Sequence, residues 1–143
     1  DNMIRVDENF LRETGLGDLD EMQRAAFIEE AQRLLENRIG EKLSEGLSLE
    51  QLEEFDGIMK KDKNVMIKAL AKLGDYRIDE VYQNLLKRYG VTEGTVDILS
   101  EYLSVKWIQT NRPNYAEVSR QVFEELKQEV RASSEEIRKS MTL

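Results

Sequence analysis

The chain has 143 residues, with 29 Asp or Glu against 21 Lys or Arg, a formal net charge of −8, no His and no Cys. Without His there is no imidazole general base and no Ser-His or Cys-His nucleophile pair, and without Cys as well there is no zinc site of the usual kind and no disulfide. No apolar run approaches the roughly 20 residues of a membrane helix, and the negative sign works against nonspecific nucleic-acid binding.

The length suits one domain over residues 1–143. A single Pro, eight Gly and abundant Glu, Lys, Leu and Ala favour helices. Met3 reads as a native start, preceded by Asp1 and Asn2. A cytoplasmic location is expected from the missing Cys and the missing signal segment, and a signal peptide already removed is compatible with the same residues. Charge is uneven along the chain: residues 1–57 hold 16 acids and 6 bases, and residues 58–112 hold 7 acids and 10 bases. The pattern is an acidic first half followed by a mildly basic middle, and it could pair two copies head to middle.

Asp7 is placed to cap a short helix to Thr14, with Phe10 and Leu11 facing inward, and Gly15 and Gly17 break it. "DLDE", Asp18 to Glu21, has the spacing of a capping box. A long helix is predicted from there to about Glu45. Leu19, Met22, Ala26, Phe27, Ala31 and Leu34 recur in it at three- and four-residue steps. Gly40 inside it predicts a kink or a close neighbour.

Gly46 suits the left-handed position after a helix, and Ser48 with Gln51 forms a second capping box. The helix that follows is expected to bury Leu49, Leu52, Phe55, Ile58 and Met59. A Lys-rich joint, "KKDKN", leads to a helix with Met66, Ile67, Leu70 and Leu73, closed by Gly74. Ile78, Val81, Tyr82, Leu85, Leu86 and Tyr89 mark another, ending at Gly90. Thr92 is placed to cap the next, through Val96, Leu99, Leu103 and Trp107, and Pro113 stops it. Asn114 is placed to cap the last helix, with Val118, Val122, Leu126 and Val130 in register. Beyond Ser133 the stripe thins, and 133–143 is expected to fray. No segment carries the two-residue strand period. The fold class is therefore all-α, a compact bundle of about six or seven helices joined by short Gly, Ser and Pro turns.

Candidate chemistry is sparse. Glu29, Glu30 and Glu36, and separately Glu50, Glu53 and Glu54, offer carboxylates for acid–base work, but such residues equally make a solvated helix face. "DKNVMI", Asp62 to Ile67, lacks the Gly and closing Glu of a calcium loop, and Gly15-Leu16-Gly17 lacks the ending of a phosphate loop. No catalytic residue, cofactor or metal is assigned. Lys60, Lys61, Lys63, Lys68 and Lys72 form a basic group over a joint and one helix face, the candidate contact side for a partner. Tyr76, Tyr82, Tyr89, Tyr102, Trp107 and Tyr115 recur at helical spacing, which reads first as core, and Trp107 with Tyr115 flanks the Pro113 turn.

Three segments carry a resemblance: "MIRVDENFLRETGLGDL", "RIGEKLSEGLSLEQLEEFDGIM" and "WIQTNRPNYAEVSRQVFEELKQEV". In their order the chain resembles a short, acidic, helical bacterial domain of unknown function, of the type found in candidate-phylum bacteria. The block at about 65–104 departs from that short form and looks like inserted helices. The resemblance implies an α-helical fold and carries no catalytic residue. The sequence thus reads as a non-catalytic protein-interaction or assembly module that binds protein, self or other, with no membrane span. The alternatives are a carboxylate- or Mg-dependent enzyme, and a nucleic-acid accessory protein using the Lys60–Lys72 face.

Overall fold

The computed structural model describes residues 4–141; the expected start at Met3 and the last two residues of the tail lie outside the described residues. The elements are α1 (Glu8–Glu13), α2 (Glu21–Ser44), α3 (Leu49–Met59), α4 (Lys63–Lys72), a 3-10 turn (Tyr76–Ile78), α5 (Glu80–Tyr89), α6 (Val96–Asn111), α7 (Tyr115–Ala132) and α8 (Ser134–Met141). The described residues contain no strand, so the fold is all-α. They form two compact units: Asp1–Glu45 with Asn114–Leu143, and Gly46–Pro113.

In the first unit the stripes of α2 and α7 close over α1 and the segment after it. Phe10, Leu11, Leu16, Leu35 and Leu126 are all but inaccessible. Asp7 caps α1 by accepting the Phe10 N–H, and the buried Thr14 hydroxyl donates to the Phe10 carbonyl at 2.8 Å, so the end of α1 is satisfied internally. The box that starts α2 is formed by Asp20 and Gln23, two residues beyond the Asp18–Glu21 pair expected from the sequence. Asp18 is engaged elsewhere, 3.3 Å from the Arg138 guanidinium, while the buried Leu19 leads into the cap. Gly40 faces open space rather than a close neighbour.

Residues 134–141 are helical, Ile137 and Met141 pack on the core, and Gln23 donates to the Met141 carbonyl at 3.1 Å. Asn114 occupies the N-cap of α7, but its side chain makes no cap hydrogen bond.

In the second unit α3, α4, α5 and α6 surround Tyr102, whose side chain is fully buried with Ile58 and Leu103. Tyr76, Tyr82 and Tyr102 form a ring cluster with centroids 5.0–6.3 Å apart, two of the three pairs edge-on. The α6 cap is Thr95 rather than Thr92. The cause is the turn before it: Gly94 N–H donates to the Tyr82 hydroxyl at 2.9 Å, and any Cβ at Gly94 would meet that oxygen at 2.6 Å. The turn therefore lies against Tyr82 before α6 can begin. Block 65–104 shares one core with Ile58 and Phe55 of α3 and with Trp107, so the compact unit that contains it is wider, from Gly46 to Pro113.

Several residues placed on apolar stripes lie outside. Met22, Leu49, Met59, Ile67 and Ile78 are 55–83 % exposed, and Leu34, Tyr89 and Val96 are 40–50 % exposed. On α3 Phe55 and Ile58 pack on the core, which leaves Leu49 and Met59 outside it.

The α3–α4 joint explains the "KKDKN" run in structural terms. Lys61 adopts a left-handed conformation, φ 61°, its N–H donating to the Ile58 carbonyl and that of Asp62 to the Gly57 carbonyl. This is the double hydrogen bond that closes a helix end. Asp62 then caps α4 through the Asn64 and Val65 N–H groups. Just behind the joint, Gly57 lets the two helices meet, since a Cβ there would lie 2.7–2.9 Å from Val65 side-chain carbons.

Candidate functional site

Within the second unit, α3, α4 and α6 leave a groove of about 860 Å³ between them. Each helix turns one face to it. From α4 come Val65, Lys68, Ala69 and Lys72, spaced three and four apart; from α6 come Leu103, Lys106, Trp107 and Thr110 in the same spacing. The first turns of α3 supply Glu50, Glu53 and Glu54, and Ile58 lies deeper. The floor is apolar, and the walls carry opposite charge.

The capping box of α3 is tied to the groove. Gln51 accepts from Ser48 N–H at 2.8 Å and donates to the Asn111 side-chain oxygen at 2.8 Å, while Asn111 donates to the Trp107 carbonyl at 2.9 Å. One chain of hydrogen bonds thus joins the start of α3 to the end of α6. It anchors the backbone of Trp107, the only Trp in the sequence. The indole packs on Phe55 with centroids 4.6 Å apart, and its buried N–H has no partner among the described residues. A buried donor left unmade is costly and uncommon.

Of the wall charges, Glu54 and Lys72 face each other across α3 and α4 at 2.8 Å, and the hydrogen bond that Lys72 donates to Glu54 raises the Lys72 pKa above its usual value. Lys106 lies 3.0 Å from Asp79, which also accepts the Tyr102 hydroxyl at 2.9 Å and caps α5. Burial works against the Asp79 charge. Lys106, the Val81 N–H and Tyr102 outweigh it, and hold the carboxyl below its usual range. Burial first, then the carboxylate it donates to, pushes the Tyr102 hydroxyl well above the ordinary tyrosine range. Glu53 and Lys68, on opposite walls, form no salt bridge with any described residue.

The five lysines singled out from the sequence do not converge. Lys68 and Lys72 line the groove. Lys60 and Lys61 sit at the α3–α4 joint, paired with Asp56 and Asp97 at 2.9 Å each, and Lys63 is the exposed first residue of α4. The groove adds Lys106 and the Gln51–Asn111 contact, which the sequence reading did not assign, and Trp107, which it read first as core. The signal available was the matching three–four spacing of Val65–Lys72 and Leu103–Thr110. Of the other carboxylates considered, Glu29 and Glu30 flank Arg33 on α2, and Glu36 accepts from Gln32. Among the described residues no group of three or more possible metal ligands lies close enough to hold an ion, and no helix is long and apolar enough to cross a membrane.

Charge also distributes differently in three dimensions than along the chain. The unit of 1–45 and 114–143 holds 18 acids and 11 bases, a net of −7; the unit of 46–113 holds 11 acids and 10 bases, a net of −1. The basic stretch folds together with the acids of α3 and is balanced by them.

Residues 10–130 match the family described as a protein of unknown function, DUF5663. The chain belongs to this family. The DUF5663 match takes in the whole of α2 through α6, and so every residue of the groove, and it runs through the 65–104 block. It stops short of α8. No curated protein and no solved structure matches the chain.

Proposed function

We propose that this DUF5663 protein is a non-catalytic protein-interaction module whose docking surface is the α3–α4–α6 groove. One observation carries the reading: three helices direct matched stripes into a single groove with charged walls and an apolar floor that includes the edge of the largely buried Trp107. Interfaces concentrate binding energy in apolar, partly desolvated patches, and charged rims select the partner. The groove is long enough for a protein segment. The lining stretches of α3, Glu50 to Ile58, and of α6, Leu103 to Asn111, each rise about 12 Å, a little over two helical turns.

The competing readings find less support. A carboxylate enzyme needs two acids held about one substrate position; Glu54 is held by Lys72, and Glu50 and Glu53 are exposed side chains on the same helix. A nucleic-acid face needs cations free to meet phosphates, whereas Lys60, Lys61 and Lys72 each face an acid of their own unit.

The test is capture of binding partners by three proteins: wild type, Lys68→Glu/Lys72→Glu, and Lys60→Glu/Lys63→Glu. The groove variant should lose a partner that the other two retain. Identical capture by all three would overturn the groove as the docking surface.

A further inference from the structure

We infer that the partner seated on the groove is a second copy of this chain, related by a two-fold axis running along the groove. This rests on the groove being the docking surface.

Charge is the first argument. Glu53 stands on the α3 wall with Glu50, and Lys68 stands on the α4 wall. A two-fold rotation about an axis lying along the groove exchanges left and right walls. The acidic wall of each copy then faces the basic wall of the other, so Glu53 meets Lys68 twice. A two-fold axis across the groove would instead oppose like charges. The wall pattern therefore selects one symmetric arrangement and disfavours the other.

The second argument is apolar shape. Leu49 is 71 % exposed although it is the first residue of α3, between the groove residues Ser48 and Glu50. Ile67, 64 % exposed, adjoins Lys68 on α4. Neither side chain lines the groove, but both leave uncovered apolar area on the helices that form it, area that a second copy wider than the groove would cover.

The third argument is net charge. Two chains at −8 repel, but the unit of 46–113 carries only −1 against −7 for the other. Self-association through the groove brings together the nearly neutral parts. Head-to-middle pairing, the arrangement suggested by linear charge, lacks a basic middle once α3 is counted with it.

The experiment is sedimentation velocity of the full chain across the micromolar range, with helix content followed by circular dichroism. Wild type should dimerise. Lys68→Glu and Glu53→Lys should each weaken the dimer by about tenfold or more, because each change occurs twice in a symmetric interface. An equimolar mixture of those two variants should recover association as a heterodimer, since reversed walls then face each other with opposite sign. Leu49→Glu should weaken the dimer with helix content unchanged. A monomeric wild type throughout the range overturns the second copy as occupant, and leaves the groove itself to the capture experiment. A dimer that ignores all these variants overturns both, because association would then use another face.

Discussion

Gly57→Ala sets two opposing effects against each other on the helix that forms one wall of the groove. In an unobstructed helix interior this change is stabilising by about 1 kcal/mol, from helix propensity alone. Here the new Cβ would lie 2.7 and 2.8 Å from the two Val65 methyls and 2.9 Å from the Val65 Cβ. The methyls belong to a β-branched side chain with little rotamer freedom in a helix, and the Cβ has none because it is fixed to the backbone. Relief requires α3 and α4 to separate, an overpacking cost of about 1–3 kcal/mol. The larger effect wins, and the variant should be destabilised by about 1 kcal/mol net. Urea unfolding followed by the emission of Trp107, which lies in the same unit, measures this directly. Adding Val65→Ala removes the two methyl contacts and should make the pair of changes less costly than the sum of the single ones. If Gly57→Ala raised the urea midpoint, as propensity alone requires, the close α3–α4 approach would be refuted.

Three further outcomes follow from local geometry. Lys61→Gly removes the cost of a left-handed side-chain-bearing residue at the α3–α4 joint and should stabilise by about 1 kcal/mol; a lower thermal midpoint would count against the joint as described. Ser48→Ala should cost about 1 kcal/mol through loss of the cap, and Gln51→Ala should cost at least as much, because Gln51 also donates to Asn111; chemical denaturation of both variants checks the order. The Asp79 pKa is lower folded than unfolded, so its contribution is present above the ordinary carboxyl value of 3.8 and is lost as pH falls through the lower folded value. Thermal midpoints measured from neutral to strongly acid pH should therefore fall less steeply in Asp79→Asn than in wild type, and parallel curves would show that Asp79 is not stabilised by Lys106, Val81 and Tyr102.

The parts of the fold that were legible in the sequence are those set by near neighbours. Asp7, Gly46, Ser48 with Gln51, Gly74, Gly90 and Pro113 mark real helix boundaries, because caps and left-handed closures are decided within a few residues. Asp18 and Thr92 failed as caps for non-local reasons: Arg138 engages one, and the packing of Gly94 on Tyr82 moves the helix start past the other. Periodicity found the helices but overestimated the width of their buried faces. It could not distinguish Phe55 and Ile58, which pack, from Leu49 and Met59, which stay exposed. The groove was the least legible part. Gln51 and Asn111 are 60 residues apart and Glu54 and Lys72 are 18 apart, and nothing local in the sequence says that they meet. Grouping lysines by position in the chain joined Lys60, Lys61 and Lys63, which serve a helix joint, to Lys68 and Lys72, which face the groove with Lys106.

The central claim is that association uses the face formed by α3, α4 and α6. Backbone hydrogen exchange read by mass spectrometry, on the full chain alone at low concentration and again when associated, tests it most directly. The account predicts slowed exchange in the first turns of α3 and in residues 65–73 and 103–111, with α2 and α7 unchanged. Protection confined to α2 and α7, with the groove helices exchanging as before, would contradict it.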